Sequence, residues 1–401
     1  MVSFSFKGVL YWTVGFSAVQ SVRSFLDTDS SNNMAVYWGQ NSGNSEQKPL
    51  GFYCDNPHID VFQLAFMTRV RGQGEVPEID FANQGNACDI FPGTGLLNCP
   101  QIGADIKACQ AKGKTILLSI GGATYTEGGF TSAEEATAAA QKVWDVFGPV
   151  KPGSNAPRPF GDAVIDGFDF DFESHVSNMV PFANELRKLM DSSAPPQAPN
   201  PSASSPASAS AFPSAKSSSP VIPPSSKWYT SPPPPAAPVS QGQPSVSSSP
   251  SSTSSISTPS QNGQNGKRKY YLTAAPQCVF PDAADHEMLN GAVSFDAIFV
   301  QFYNNFCGLN SFVQGTNTQR AFNFDLWDGW AKSASKNKNV KVLIGMPGSP
   351  SAAGSGFVPA HVMQEVLEWS KSFSSFGGLM VWDATQAYEV GGLLPSLKSF
   401  L

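Results

Sequence analysis

The segment "DGFDFDFE", residues 166–173, places four carboxylates in eight positions. From Phe168 to Glu173 apolar rings and acids alternate strictly. Alternate side chains of a strand share a face, so Asp169, Asp171 and Glu173 point one way and Phe168, Phe170 and Phe172 the other. Like charges spaced ~7 Å apart without a counterion repel, and a merely solvated strand face would mix acids with Ser, Thr and Lys. A hard cation or shared protons could use such a set. Cation ligands usually come from a turn with Gly and Asn interleaved, whereas this run is straight. Acid catalysis is the better reading, because stacked carboxyls cannot all ionise and at least one keeps its proton near neutral pH. An acid in that state is what protonating a glycosidic oxygen requires.

Other chemistries find less support. His58, His175, His286 and His361 stand isolated, and none of the six cysteines forms a Cys-x-x-Cys pair. No zinc site is expected, and no metal or other cofactor is called for. A formal charge of −6 argues against nucleic-acid and anionic-membrane partners, which need basic patches. Aromatic residues at 11% suit a packed core and a groove that stacks rings. There is no Asn-x-Ser/Thr sequon, so conventional N-glycosylation is not expected.

The elements that must hold the acids recur along the chain. Apolar, β-branched or aromatic runs occupy residues 35–39, 61–67, 115–122, 164–173, 269–275, 297–304, 340–347 and 378–384. Helix-like stretches lie between them, such as 132–148, with a Thr-Ser start and a Gly stop, and 361–373. Apolar strands alternating with helices imply a parallel sheet, and eight such units suggest an α/β fold of the (β/α)8 TIM-barrel type. Glu173 then ends the fourth strand, on the face where barrel enzymes keep their catalytic groups. At the N-terminus, Lys7 and an apolar run to Val19 read as a secretory signal peptide over about 1–22, too short to span a bilayer. The even cysteine count then suggests up to three disulfides, with the pairing left open.

Residues 192–267 are dominated by Ser, Pro and Ala with little charge. That composition predicts a disordered insertion and suggests O-glycosylation. Four strand candidates precede it and four follow, so neither side closes a barrel alone. One barrel domain over 30–191 and 268–401, interrupted between its fourth helix (180–190) and fifth strand, is therefore expected. That connection lies on the face opposite the site, which leaves the site open.

The acidic segment fits Asp-x-x-Asp-x-Asp-x-Glu, with Asp166, Asp169, Asp171 and Glu173, and resembles glycoside hydrolase family 18. "YWGQN" (37–41), "LLSIGGA" (117–123), "YYLTAAPQC" (270–278), "VQFYNNFC" (300–307), "PSAAGSGFVP" (350–359) and "GGLMVWDA" (377–384) look like the class III chitinases of plant and fungal type. The resemblance covers roughly 35–191 and 268–398, in order.

It implies a substrate-assisted retaining mechanism in which the 2-acetamido group of the sugar is the nucleophile. Glu173 would be the general acid, and Asp171 would orient the acetamido N–H and share a proton with Asp169. Tyr303 would donate to the acetamido oxygen, and Gln301 and Asn304 would bind the sugar. Trp382 would floor the subsite, and Tyr37 and Gln40 would line the donor side. The implied disulfides are Cys54–Cys109, Cys88–Cys99 and Cys278–Cys307.

A secreted monomer, extracellular or in the cell wall and acting on chitin or chitooligosaccharides, is the expectation. The C-terminal region shows neither a chitin-binding module nor a convincing GPI signal. Only about 30 residues separate the seventh strand from the eighth, which implies an open groove and endo-type cleavage. Two rival readings are a lectin-like or inhibitor-like binding protein and an endo-β-N-acetylglucosaminidase of the same mechanism.

Overall fold

A computed structural model describes residues 26–193 and 269–401. The signal-peptide reading, and the Ser/Pro-rich reading beyond Ser193, lie outside the described residues. Eight parallel strands run β1 (Asn33–Trp38), β2 (Val61–Arg69), β3 (Thr115–Gly121), β4 (Gly167–Asp171), β5 (Tyr271–Ala274), β6 (Ala297–Gln301), β7 (Lys341–Pro347) and β8 (Phe376–Trp382). Each pairs with its neighbour in chain order, and β1 pairs with both β2 and β8, so the sheet closes. A two-residue strand, Glu78–Ile79, adds antiparallel to β2.

The strands are buried on both faces, which is why they read as nearly continuous apolar runs. Inward positions form a small cluster that includes Ala35, Tyr37, Leu117, Phe299, Leu343 and Met380. Outward positions join the larger core beneath the helices. There Phe170 packs edge-on against Phe182 and Phe295. The helix Ala133–Phe147 begins at Ser132, whose hydroxyl accepts from the backbone N–H of Glu135, and stops at Gly148.

The helix Met179–Ser193 extends two residues into the stretch read from sequence as insertion. Its Arg187 donates to the Tyr270 carbonyl (2.9 Å) and pairs with Asp296 (2.7 Å). Asp296 also accepts from the Leu272 backbone. One guanidinium therefore holds the end of this helix to the start of β5, on either side of residues 194–268. These flanks lie at the N-terminal rim of the barrel.

At the opposite rim β3 and β4 approach very closely. Gly121, at φ +122°, would place a Cβ 2.2 Å from the Asp171 carbonyl oxygen, while the Gly122 N–H donates to that oxygen at 2.7 Å. A Gly121→Ala substitution meets both a left-handed backbone and an immovable main-chain atom. It is expected to cost about 2–4 kcal/mol. Calorimetry would read this as a clearly lowered Tm, and an unchanged Tm would show that β3 can shift.

Candidate active site

Strand β4 directs Asp169 and Asp171 into the barrel and Phe168 and Phe170 outward, all buried. Glu173 follows two residues after the strand ends and is exposed at the C-terminal mouth. Depth therefore separates the three acids.

Asp169 is fully buried and accepts four hydrogen bonds. Oδ2 takes Tyr37 Oη (2.8 Å), Gln63 Nε2 (3.0 Å) and Ser119 Oγ (2.8 Å), and Oδ1 takes Thr273 Oγ1 (2.6 Å). An ionised carboxylate has about four acceptor positions, and here four donors fill them. Burial raises its pKa, and these four hydrogen bonds work against that rise. Asp171 accepts from Gln301 Nε2 at 2.7 Å. Burial, and then repulsion from the Glu173 and Asp169 carboxyls, pushes Asp171 well above the ordinary carboxylate range. Glu173 is raised too. Its carboxyl reaches solvent, yet the groove walls remove enough water to disfavour the anion.

Tyr303 lies two residues beyond β6, almost wholly buried, its hydroxyl pushed up by burial and then by Asp171 and Glu173. Trp382 closes the far side from the end of β8. It meets Tyr37 edge-on at 5.2 Å and stacks on Phe66 at 6.0 Å with 21° between the rings. Acid ladder, tyrosine and tryptophan thus share one mouth of the barrel.

Other sequence-derived candidates are placed differently. Asp166 sits before β4, at the opposite rim, where Oδ2 accepts from Gln110 Nε2 and the Ile116 N–H (both 2.9 Å). It braces β3 against β4. Gln301 gives its amide to Asp171 and to the Ala275 carbonyl, so it orients an acid. Gln40 Nε2 holds the Ala65 carbonyl at 2.9 Å. Asn304 Oδ1 accepts from the Gly354 N–H at 2.8 Å, tying the β6 loop to the β7 loop.

The six cysteines pair as Cys54–Cys109, Cys88–Cys99 and Cys278–Cys307, the last bridging the loops after β5 and β6. Among the described residues no group of three or more His, Cys, Asp or Glu is arranged to hold a metal.

Sequence reasoning missed Gln63, Ser119, Thr273 and Phe66. The first three had a signal: each is a polar residue at an inward position of an apolar strand. A lone polar group there needs a buried partner.

No protein-family model matches the chain. It is 43% identical, over 99% of its length and 94% of the relative's, to the class III chitinase of Arthroderma benhamiae. The chain belongs to the class III chitinases of glycoside hydrolase family 18. A second relative, endochitinase 33 of Trichoderma harzianum, is 39% identical over 93% of each chain. Among solved structures, this class III chitinase resembles the xylanase and α-amylase inhibitor protein XAIP-II of Scadoxus multiflorus. That likeness has a TM-score of 0.59 and 25% identity, over 92% of this chain and 98% of that one. The chain is thus similar both to proteins described as chitinases and to one described as an inhibitor.

Proposed function

We propose that this chain is a secreted endo-chitinase that cleaves β-1,4-linked N-acetylglucosamine polymers with retention, through an oxazolinium intermediate. The observation that carries this reading is the acid ladder, with Asp169 buried under four hydrogen-bond donors, Asp171 above it and Glu173 exposed at the mouth that Tyr303 shares. Glu173 gives its proton to the glycosidic oxygen as the bond to C1 breaks. The 2-acetamido carbonyl oxygen of the same sugar closes on C1 and takes up the positive charge. Asp171 accepts the acetamido N–H and stabilises the cationic ring, and Tyr303 Oη donates to the acetamido oxygen. Water, deprotonated by Glu173, then opens the ring from the face the leaving group vacated, so configuration is retained.

Asp169 holds four donors that favour its anion against the effect of burial, which places the mobile proton nearer Asp171 and Glu173. Trp382, backed by Phe66, floors the sugar, and the Asn304 amino group is available to it. Tyr37 and Gln40 shape the donor side. The segment 348–375 contains one helix, Ala360–Ser370, and no further domain, which supports an open groove. Three disulfides agree with an oxidising destination outside the cytosol.

The likeness to an inhibitor protein favours one rival, a binding protein without turnover. Incubating the full chain with the N-acetylglucosamine hexamer and identifying products by mass spectrometry separates the two. Internal cuts, giving dimer to tetramer, are the expected result. Binding without cleavage would overturn the enzymatic reading, and disaccharides released only from chain ends would overturn the endo mode.

A further inference from the structure

Among the buried acids that have no task in the mechanism, two lie close to Gln301 in the fold. Asp282 and Asp285 lie in the segment that follows β5. Asp282 is almost wholly buried, and its carboxylate accepts the backbone N–H groups of Gln277 (3.0 Å), Ala284 (2.9 Å) and Asp285 (2.6 Å). Asp285 is completely buried, and neither of its carboxylate oxygens has a hydrogen-bond partner. A naked carboxylate at such a site is far costlier than a neutral acid, so the side chain keeps its proton. Burial is the main cause, and repulsion from the carboxyls of Asp282, Asp171 and Asp169 adds to it. Burial raises the Asp282 carboxyl as well, but its three backbone N–H donors work against that rise, whereas the Asp285 carboxyl has none.

The backbone gripped by Asp282 is the backbone that seats Gln301. Gln277 bridges to Gln301 across the sheet, Gln301 N donates to the Pro276 carbonyl (2.8 Å), and Cys278 N donates to the Gln301 carbonyl (3.2 Å). The Gln301 amide then spans the Ala275 carbonyl (2.8 Å) and Asp171 Oδ1 (2.7 Å).

We propose that Asp282 and Asp285 are positioning residues: the Asp282 carboxyl, gripping three backbone N–H groups, locks residues 275–278 against β6 with the buried, unpartnered Asp285 carboxyl beside it, and together they aim the Gln301 amide at Asp171. The proposal rests on the role given to Asp171 above.

Two variants test it in the full chain. Asp282→Asn keeps the shape but offers one acceptor oxygen where two worked. On the soluble N-acetylglucosamine tetramer, kcat is expected to fall about tenfold, a share of general acid–base catalysis, with KM changed less than about twofold. The acid limb of the pH–rate profile should also move to higher pH, because Asp171 loses the amide that favours its anion. A lowered Tm with kcat and the acid limb unmoved would reduce the acid to a structural role and overturn the proposal.

If that variant does not fold, Asp285→Asn decides through stability. Folding raises the proton affinity of Asp285, so wild-type stability is lost as pH climbs from the unfolded carboxylate value, about 3.9, toward the folded one. Removing the acid should therefore raise Tm by about 3 °C at pH 7.5 and by nothing at pH 3.5. Equal changes at both pH values would mean that Asp285 is not held neutral, and the proposal fails. A wild-type chain inert toward the tetramer would instead sink the functional reading itself, so the two failures are distinguishable.

Discussion

Glu173→Gln is expected to lower kcat on chitooligosaccharides by about 10³-fold or more, with KM within about threefold of wild type. Glutamine fills the same volume at the exposed end of the ladder, so sugar binding and fold should persist. It cannot transfer a proton to the glycosidic oxygen, and the leaving group would depart as an alkoxide. It also cannot deprotonate the water that opens the oxazolinium, so both halves of the reaction suffer. Steady-state kinetics on the tetramer, with oligosaccharide binding measured alongside, would show a pure kcat effect. Full activity in this variant would remove the mechanism, and a loss of binding equal to the loss of rate would make Glu173 a sugar contact.

The second large effect concerns Asp171. Asp171→Asn should lower kcat by about 10²–10³-fold and also change the shape of the pH–rate profile. In the wild type, Asp171 and Glu173 are raised together and titrate as a pair. In the proposed mechanism the active form holds one proton on that pair. Acidification fills both sites, so Asp171 can no longer accept the acetamido N–H, and activity falls. Alkalinisation empties both, so Glu173 has no proton to give, and activity falls again. A bell-shaped profile follows. With asparagine the lower titration disappears while the upper one, now belonging to Glu173 alone, survives. The upper limb should also move down in pH, because the neighbouring negative charge that helped retain the proton is gone. An acid limb that persists unchanged would assign it to another group and separate Asp171 from the proton-sharing pair.

The acid strand was largely legible because its logic is local. A two-residue period sends Asp169, Asp171 and Glu173 to one face whatever else the chain does, and Phe168, Phe170 and Phe172 must then face the helices. The barrel was legible for a related reason, since strands buried on both faces read as apolar runs. Asp166 shows where the pattern misled. It belongs to the sequence motif, yet it precedes the strand and faces the other rim. Gln301 and Gln40 were expected as sugar-binding residues through the family resemblance, and their amide nitrogens are held by an acid and by backbone.

By itself, then, the sequence determined the eight strands, the direction of the strand acids and the position of Glu173 at the C-terminal mouth, although the strand stops at Asp171, two residues before it. Short-range periodicity dictates all three. Only the tertiary structure decided how each acid is buried and hydrogen-bonded. Asp169 draws its donors from β1, β2, β3 and β5, residues up to 132 positions away in the chain, and that meeting depends on strand register and closure of the sheet. The same holds for Phe66 under Trp382 and for the unpartnered carboxyl of Asp285. Solvent exclusion and hydrogen bonding between distant strands fix a carboxyl's protonation state, and neither exists until the barrel has closed.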